Sequence, residues 1–341
     1  MSAQTRMFQE AAEGPQVVGA QLTHNAPLLR ELGFRLRSKP PRAVVTCARG
    51  SSDHAATYAK YLIESHTQVL TSSAAPSVSS IYDSQATLDG VLFIAISQSG
   101  MSPDLLTATR NAREGGAITV ALCNSPNSPL MKIVDVAVPL HAGPETSVAA
   151  TKSYIASLSC IAQLLANWTE DRQLLAALPQ LPELLARAWK CDWSPAVDAL
   201  RDAVNLFVVA RGYGLGVAQE AALKLKETCA LHAEAFSSAE VKHGPMALVR
   251  TGFPVLRFTQ RDDTRAGIEE LAAEFASRGA RVLLAGAEAP RAVSLPAVVA
   301  NPVLEPLLAI QTFYAMANAL ALARGLDPDR PPHLNKVTET V

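Results

Sequence analysis

The sequence predicts an α/β protein made of two tandem, doubly wound parallel sheets joined by helices. Short apolar runs alternate with helical patterns along most of the 341 residues, which is typical of parallel strands with helices on both faces of the sheet. The strand pattern of the first half also returns in the second half. Arg49 and Arg211 follow similar apolar runs, as do Gln98 and Gln260, and both pairs are 162 positions apart (211 − 49 and 260 − 98). This constant offset indicates an internal duplication.

In the first half, the spacing of apolar residues predicts a leading helix over 16–38, which ends before Pro40. Strands are predicted at 43–48, 68–71, 91–97, 117–122 and 134–139. Amphipathic patterns predict helices at 55–64 and 103–112 between these strands. We take residues 16–170 as the first domain.

In the second half, a helical pattern over 151–189, broken by Pro179 and Pro182, connects the two domains. Strands are predicted from Asn205, from about Phe253 and at 279–285. We take residues 190–325 as the second domain, which carries the candidate catalytic carboxylate. A Pro-rich tail follows at 326–341 and has no periodicity.

Composition limits the functions that the chain can have. Its formal net charge of −1 and its pI of about 6.7 provide no basic field for a nucleic acid or an acidic membrane surface, so we expect a small-molecule partner. The five cysteines have no metal-ligand spacing, so we expect reduced thiols and no metal or other cofactor. The polar N-terminus has no signal-peptide pattern, which favours the cytoplasm. The apolar stretch at 307–323 contains Gln311 and Asn318, which indicates a core helix.

Two turns after predicted strands are rich in small hydroxyl residues and glycine. One follows the strand at 91–97, and the next helix points backbone N–H groups and a positive dipole end at this turn. On its own, such a turn is as typical of a plain strand-to-helix connection as of an anion site. The second turn favours binding, because adjacent strand ends of a parallel sheet frame the ligand crevice. The predicted phosphate ligands are Gly50, Ser51, Ser52, Ser97, Gln98, Ser99 and Ser102.

A polar cluster on one predicted helix of the second half contains the candidate proton-transfer groups. Glu220, Lys224 and Glu227 are spaced i, i+4 and i+7 and share one helix face. Most faces of this kind are solvated ion pairs. Here the flanking residues are Ala, Leu and Cys, so we interpret the face as lining a crevice, with a carboxylate as the base. His243, which precedes a Gly-Pro break, is a candidate proton shuttle near neutral pH.

Several of these segments together resemble the sugar isomerase (SIS) family, and in particular the isomerase half of glucosamine-6-phosphate synthase. They are 97–100 (Ser-Gln-Ser-Gly), 142–145 (Ala-Gly-Pro-Glu), 222–227 (Ala-Leu-Lys-Leu-Lys-Glu), 232–235 (His-Ala-Glu-Ala) and 240–245 (Glu-Val-Lys-His-Gly-Pro). They occur in the family's order over nearly the whole chain. The resemblance implies two flavodoxin-like SIS domains and a C-terminal tail over the active site.

The resemblance also implies roles for individual residues. The two serine turns would bind the phosphate of a hexose 6-phosphate, and Val148 would line the sugar site. Glu227 would move a proton between C1 and C2, with Lys224 beside it. His243 would assist ring opening in the neighbouring subunit's site of a homodimer. Lys336, which the residues alone identify only as a solvated tail lysine, would form an imine with the open-chain ketose.

Differences from the synthase favour a catabolic reaction. The chain begins close to the first SIS unit, with neither a glutaminase domain nor its N-terminal nucleophilic cysteine. Met101 and Pro103 flank Ser102 after the Ser-Gln-Ser-Gly turn, and the tail at 334–341 is similar to the tails of stand-alone aminosugar-phosphate deaminases. We therefore expect an isomerising deaminase that converts a hexosamine 6-phosphate, namely glucosamine 6-phosphate, to fructose 6-phosphate and ammonia.

Other enzymes would share this site: a galactosamine-phosphate deaminase, a deglycase of phosphorylated sugar–amine adducts, or an aldose–ketose phosphate isomerase. A sugar-phosphate sensor without catalysis is the alternative from a different class. No basic helix-turn-helix segment precedes residue 43, and a sensor does not need Glu227, Lys224 and His243 together. The sequence therefore favours an enzyme.

Overall fold

The computed structural model describes residues 5–336 of the chain, so the last five residues of the predicted tail, 337–341, lie outside the described part. The contacts divide the chain into two compact units. Within the described part, the N-terminal sheet unit comprises Gln16–Glu145, Lys152–Pro179 and residues 335–336. The C-terminal sheet unit comprises residues 5–15, Thr146–Thr151 and Gln180–Leu334.

A five-stranded parallel sheet forms the centre of the N-terminal sheet unit. Its strands are β1 (Ala43–Cys47), β2 (Thr71–Ser73), β3 (Val91–Ser97), β4 (Ile118–Cys123) and β5 (Val136–Pro139), in the order β2-β1-β3-β4-β5. The helices are α2 (Gly14–Ser38), α3 (Ser51–Thr67), α4 (Pro76–Ser80), α5 (Pro103–Glu114), α6 (Pro129–Ile133), α7 (Lys152–Thr169) and α8 (Arg172–Ala177). All seven residues of the central strand β3 are buried, as an apolar run flanked by strands on both sides requires.

The C-terminal sheet unit contains a second five-stranded parallel sheet. Its strands are β6 (Asn205–Ala210), β7 (His232–Ser237), β8 (Pro254–Phe258), β9 (Arg281–Ala285) and β10 (Val293–Leu295), in the order β10-β9-β8-β6-β7. The helices are α1 (Arg6–Ala12), α9 (Leu181–Ala188), α10 (Ser194–Leu200), α11 (Leu215–Cys229), α12 (Arg265–Ser277) and α13 (Glu305–Ala323).

The two sheets have the same strand order. Counted from the first strand of each unit, both read 2-1-3-4-5, and every pair of neighbouring strands is parallel. The fold class predicted from the alternating pattern is therefore confirmed, and the shared strand order matches the duplication that the 162-residue offset indicates.

Strand β7 is the main departure from the sequence-based prediction. The segment from His232 to Glu234, where the sequence predicts no strand, belongs to a strand at the edge of the second sheet. Helix α11 ends before it because Ala230 adopts a left-handed conformation at φ 47° and its N–H bonds to the Leu225 carbonyl. A smaller difference is β2, which begins at Thr71 rather than at residue 68.

Helix α13 is a core helix of the C-terminal sheet unit, as its interrupting polar residues indicate. Among residues 5–336 it is the one helix that is long and apolar enough to cross a membrane. However, 78% of its most apolar 18-residue stretch is buried inside the protein. It packs against α11, α9 and α10. The chain after α13 is tied back to the same unit, because the Asp329 carboxylate accepts hydrogen bonds from the N–H groups of Arg6 and Met7 at the start of α1.

Candidate active site

The turn after β3 presents hydroxyl groups at the N-terminus of α5. The Ser97 Oγ accepts a hydrogen bond from the Gly100 N–H at 2.9 Å, and the Ser99 Oγ accepts one from the Met101 N–H at 3.3 Å. Each hydroxyl keeps its own proton to donate to an anion. Ser102 is the N-cap residue of α5, and its side chain makes no capping hydrogen bond. The turn therefore combines three hydroxyl donors with the positive end of a helix dipole.

Glycine at position 100 is required by the shape of this turn. Gly100 has a φ of +65°, which side-chain-bearing residues rarely adopt. A Cβ there would lie 2.3 Å from the Ser128 Oγ and 2.8 Å from the Cys123 Sγ. The adjacent Gln98 is partly buried. The close approach of three chain segments therefore fixes the backbone that carries the serines.

A second turn of the same kind follows the neighbouring strand β1. Gly50, at φ +54°, is the N-cap residue of α3, and Ser51 and Ser52 begin that helix. The two turns are linked, because the Arg49 guanidinium donates from Nε at 2.9 Å and from Nη2 at 2.6 Å to one oxygen of buried Asp104 in α5. Since β1 and β3 are paired, both turns lie at the same edge of the sheet.

One carboxylate beside these two turns works against the binding of an anion. Asp53 lies in the first turn of α3, directly after the two serines. Burial raises the pKa of Asp53, and the charges of His54 and Arg49 act in the opposite direction. Asp53 is therefore a negative group at the start of α3 that a bound phosphate must tolerate.

The corresponding turn of the C-terminal sheet unit is filled by its own side chains. The buried Gln260 amide donates to the Arg211 carbonyl at 2.8 Å and to the Asp262 carboxylate at 3.0 Å. The other oxygen of Asp262 accepts from the backbone N–H and the hydroxyl of Thr264. This turn therefore already holds a carboxylate at the start of α12, where the duplicated turn after β3 has serines and a glycine.

The polar face predicted on the second-half helix exists on α11. The Lys224 Nζ lies 2.6 Å from an oxygen of Glu227 and 3.5 Å from an oxygen of Glu220. The Tyr314 hydroxyl, from α13, donates to the same Glu220 oxygen at 3.1 Å. The side chains of Glu220 and Lys224 are buried, whereas that of Glu227 is 20% exposed. Glu227 is thus the member of this face that a substrate can reach.

The two carboxylates decide the charge of Lys224. Burial alone would lower the pKa of this lysine, but the charges of Glu220 and Glu227, with their hydrogen bonds, outweigh burial and raise it. Lys224 is therefore an ammonium ion at neutral pH. The Lys224 ammonium group donates a charge-assisted hydrogen bond that holds one Glu227 oxygen in place. The other Glu227 oxygen can take up a proton.

Glu227 lines a pocket together with the chain that follows α13. The pocket has a volume of about 590 Å³ and is bounded on the helix side by Leu223 and Glu227. Its other wall consists of residues between Gly325 and Leu334. The first part of the predicted C-terminal tail therefore lies beside the candidate base within the same unit.

His243 lies on a turn, but not at the end of α11. It follows a short 3-10 helix, Glu240–Lys242, and its side chain is exposed. Strand β7 separates this turn from α11 in the chain. His243 therefore lies before the Gly-Pro break on a turn that follows the 3-10 helix and not α11.

Lys336 pairs with a buried carboxylate in the N-terminal sheet unit. Its Nζ lies 3.6 Å from the Glu145 Oε2, and the two side chains are 24% and 0% exposed, respectively. The Glu145 carboxylate also accepts from the Ser153 N–H at 3.1 Å and the Ser153 hydroxyl at 2.5 Å, in the first turn of α7. The tail lysine is therefore held by an ionic contact rather than solvated.

Val148 lies in the segment Thr146–Thr151 of the C-terminal sheet unit, which has neither helix nor strand. The carboxylate of Glu10, in α1, accepts hydrogen bonds from this segment.

Neither Glu10, Glu145 nor Tyr314 was among the residues singled out from the sequence as site residues. Glu145 belonged to the 142–145 motif, which gave a usable signal, whereas Glu10 and Tyr314 had none.

Within each unit, the structure brings part of the predicted set together. In the N-terminal sheet unit, Gly50, Ser51, Ser52, Ser97, Gln98, Ser99 and Ser102 lie on two turns at one sheet edge. In the C-terminal sheet unit, Lys224 and Glu227 are in direct contact. Val148, His243 and Lys336 lie on separate segments without regular secondary structure.

Comparisons with known proteins identify the family to which the two sheet units belong. The family model described as SIS domain matches residues 38–167 and 199–288. The isomerising glutamine–fructose-6-phosphate aminotransferase of Thermotoga maritima is 33% identical over 97% of this chain and 58% of its own length. This chain thus spans about half the length of the curated relatives that it matches, at 58% and 51% for two of them.

Two solved structures are similar over almost their whole length. A candidate phosphosugar isomerase from Silicibacter pomeroyi is 45% identical, with a TM-score of 0.92 over 95% of this chain and 100% of that one. The C-terminal domain of glucosamine-fructose-6-phosphate aminotransferase from Francisella tularensis is 27% identical, with a TM-score of 0.87 over 96% and 99% of the two chains. The segments matched by the family model contain all five strands of the first sheet and four of the five strands of the second, and the chain therefore belongs to the SIS domain family.

Proposed function

We propose that the chain is an isomerising deaminase that converts glucosamine 6-phosphate and water to fructose 6-phosphate and ammonia. One observation carries the proposal: Glu227 is partly exposed and lines a pocket, while the buried Lys224 holds it at 2.6 Å. A carboxylate in this setting can accept a proton from carbon and return it. Similarity to an aminotransferase whose name includes fructose 6-phosphate supports the same hexose skeleton.

The phosphate is assigned to the two turns of the N-terminal sheet unit. Hydroxyl protons of Ser52, Ser97 and Ser99 are the donors, with Ser102 at the N-terminus of α5. Gly50, Ser51 and Gln98 complete the set through backbone and amide groups. The half-exposed Arg49 guanidinium beside the turns adds positive charge near the dianion.

Glu227 performs the isomerisation in the proposed mechanism. His243 first protonates the ring oxygen while the C1 hydroxyl loses its proton, which opens the ring to the 2-amino aldehyde. Glu227 then removes the proton from C2 as O1 gains one, and an enolamine forms. Return of the proton from Glu227 to C1 leaves an iminium group at C2. Lys224 stays protonated throughout and keeps the Glu227 side chain oriented during both transfers.

Loss of ammonia completes the reaction. The neutral amine of Lys336 adds to the C2 iminium carbon, ammonia leaves, and water hydrolyses the resulting lysine imine to the ketose. Glu145, 3.6 Å from the Lys336 nitrogen, is the group to which the lysine gives up its proton. If water attacked the C2 iminium directly, the products would be the same and no lysine imine would form.

An aldose–ketose phosphate isomerase is the second candidate. The same proton transfer by Glu227 converts an aldose phosphate to a ketose phosphate when C2 carries a hydroxyl group instead of an amine. The 45% identity to a candidate phosphosugar isomerase from Silicibacter pomeroyi favours this alternative over a non-catalytic sensor.

Ammonia release from a panel of 6-phosphorylated sugars tests the proposal. The panel contains glucosamine, galactosamine and glucose 6-phosphates, with unphosphorylated glucosamine as the control for the phosphate site. We expect equal amounts of ammonia and fructose 6-phosphate from glucosamine 6-phosphate and none from glucosamine. Ketose formation from glucose 6-phosphate without ammonia from either aminosugar would support the isomerase. Tight binding of sugar phosphates without any turnover would support a sensor.

A further inference from the structure

We propose that Glu10 is a positioning residue that holds the Val148 segment, Thr146–Thr151, in the conformation in which it binds the sugar. This inference rests on the proposed function and on the role that the SIS resemblance implies for Val148, which is to line the sugar site. Glu10 lies 136 positions from Thr146 in the sequence, and it belongs to α1, which no sequence motif connected with the site. The proposal adds Glu10, on helix α1, to the residues that control substrate binding.

The contact consists of a buried carboxylate that binds four donors of the segment. Oε1 of Glu10 accepts from the backbone N–H of Thr146 at 2.5 Å and from its hydroxyl at 3.0 Å. Oε2 accepts from the backbone N–H of Ser147 at 3.1 Å and from its hydroxyl at 2.5 Å. The Ser147 Oγ also lies 2.9 Å from the Ala149 carbonyl oxygen. These contacts fix the residues on both sides of Val148.

The segment depends on this carboxylate because it has no regular secondary structure to satisfy its own backbone groups. Burial opposes ionisation of Glu10, but the Ser147 hydroxyl and the N–H groups of Thr146 and Ser147 lower its pKa. The carboxylate is therefore charged at neutral pH, and charge-assisted hydrogen bonds are stronger than neutral ones.

Helix α1 is a fixed base for this contact. At its N-terminus the Asp329 carboxylate accepts from the N–H groups of Arg6 and Met7. At its other end the buried Gln311 amide, from α13, donates to the Ala11 carbonyl at 2.8 Å. Both ends of this seven-residue helix are thus hydrogen-bonded to other parts of the C-terminal sheet unit, which fixes the position from which Glu10 contacts the segment.

Glu10→Gln tests the inference, with Glu13→Gln as the matched control. Glu13 is the exposed C-cap residue of the same helix, so its substitution removes the same charge at a position outside the four hydrogen bonds that Glu10 accepts. The glutamine at position 10 keeps one acceptor oxygen but replaces the other with a donor that cannot accept from Ser147. We expect faster amide hydrogen exchange at Thr146 and Ser147 in Glu10→Gln, and wild-type exchange in Glu13→Gln.

The functional readout separates positioning from stability. We expect Glu10→Gln to raise the KM for glucosamine 6-phosphate and the Kd for fructose 6-phosphate by roughly tenfold. The kcat and the affinity for inorganic phosphate should stay within about twofold, because the phosphate turns belong to the other unit. Ser147→Ala, which removes only one hydroxyl, should produce a smaller effect of the same kind and serves if Glu10→Gln folds poorly.

Three outcomes would overturn the inference or separate it from the proposed function. Unchanged exchange at Thr146 and Ser147 would mean that Glu10 does not hold the segment. Faster exchange with unchanged fructose 6-phosphate affinity would mean that the segment is not part of the sugar site. If the wild type released no ammonia, the proposed function would fail, whereas the binding of fructose 6-phosphate would still decide the role of Glu10.

Discussion

The ammonium nitrogen of Lys224 lies 2.6 Å from Glu227 and 3.5 Å from Glu220, so one buried cation is shared by two carboxylates of the same helix. Only Glu227 of the three is partly exposed. This arrangement gives the candidate base a fixed partner on its buried side and access to the pocket on the other. It also means that the site cannot lose Lys224 without leaving buried negative charge behind.

Lys224→Met should therefore weaken both catalysis and folding. Removing one partner of a buried ion pair costs about 3–5 kcal/mol, because Glu220 is left buried without its cation. Ammonia release from glucosamine 6-phosphate should fall by at least roughly 100-fold, since Glu227 loses the donor that orients it. Urea denaturation and the ammonia assay provide the two measurements.

Lys60→Met is the control for Lys224→Met. Lys60 pairs with Glu64 at 3.8 Å on α3, but both side chains are exposed to solvent, at 48% and 35%. Its loss should change the free energy of unfolding by no more than about 0.5 kcal/mol. Equal destabilisation by the two substitutions would contradict the role of the buried cluster.

The raised pKa of Lys224 also predicts a pH dependence of stability. The folded state binds this proton more tightly than the unfolded state, whose lysine pKa is about 10.4. The resulting stabilisation is fully present below that pH and is lost as pH rises through the higher pKa of the folded state. The free energy of unfolding of the wild type should therefore fall above pH 10 by more than that of Lys224→Met. Parallel curves for the two proteins would contradict this assignment.

Lys336 should be the residue that borohydride traps. Its amine lies beside the Glu145 carboxylate at 3.6 Å, which can take its proton and leave a nucleophile. Borohydride added with fructose 6-phosphate should inactivate the wild type and label the peptide that contains Lys336. Lys336→Arg, which keeps the charge but forms no imine under these conditions, should resist inactivation. Labelling of another lysine in both proteins would place the imine elsewhere and contradict the proposal.

Gly100→Ala should weaken phosphate binding. The new Cβ would meet the Ser128 Oγ at 2.3 Å, and the φ of +65° would strain it further, so the turn must open. We expect the Kd for inorganic phosphate to rise at least roughly tenfold, with a loss of about 1–3 kcal/mol in folding stability. Gly267→Ala, in helix α12 with open space around the site, is the matched control and should retain wild-type affinity. Unchanged phosphate affinity in Gly100→Ala would contradict the location of the anion site.

Replacement of the buried Arg257 should stabilise the C-terminal sheet unit. Arg257 is fully buried near the end of β8, and its three guanidinium nitrogens have no hydrogen-bond partner among residues 5–336. Its Cζ lies 5.4 Å from the centre of the Phe275 ring, and burial lowers the pKa of the guanidinium to about 9. Because an apolar residue of similar length has no such cost, Arg257→Met should raise the free energy of unfolding by about 1–4 kcal/mol.

Denaturant unfolding of Arg257→Met and Arg278→Met gives the comparison for this prediction. Arg278 is 45% exposed at the end of α12 and pairs with Glu274 at 3.0 Å, so its substitution should change stability by less than about 0.5 kcal/mol. A clear loss of stability in Arg257→Met would show that the guanidinium has a partner that stabilises it.

Much of the fold could be predicted from sequence because its central strands are fully buried. Strands such as β3 and β4 are continuous apolar runs, and the repeat offset identified their counterparts in the second half. Strand β7 was missed because it lies at a sheet edge, where exposed His232 and Glu234 alternate with alanines and the residues look like the end of a polar helix. The offset itself, applied to β2, would have located it.

The site residues that are close together in the sequence could be predicted from it. Glu220, Lys224 and Glu227 are neighbours on one helix, so spacing alone brings them together. Glu10 and Tyr314 act across long distances in sequence, on helices whose patterns reflect packing, and no local pattern could connect Glu10 with Ser147 or Tyr314 with Glu220. Those contacts depend on how distant helices pack, which single-sequence reasoning does not determine.

The most direct test of the proposed mechanism asks whether Glu227→Gln still transfers deuterium from solvent to carbon. In D2O, the wild type should incorporate deuterium at C1 of the fructose 6-phosphate formed from glucosamine 6-phosphate, which proton NMR detects. Glu227→Gln should lose this exchange by roughly 100- to 10,000-fold while keeping its affinity for fructose 6-phosphate, since the glutamine cannot accept the proton from C2. The exposed Glu234, on the edge strand β7, provides the control substitution Glu234→Gln, which should exchange at the wild-type rate. Wild-type exchange in Glu227→Gln would show that another group is the base and would contradict the central claim.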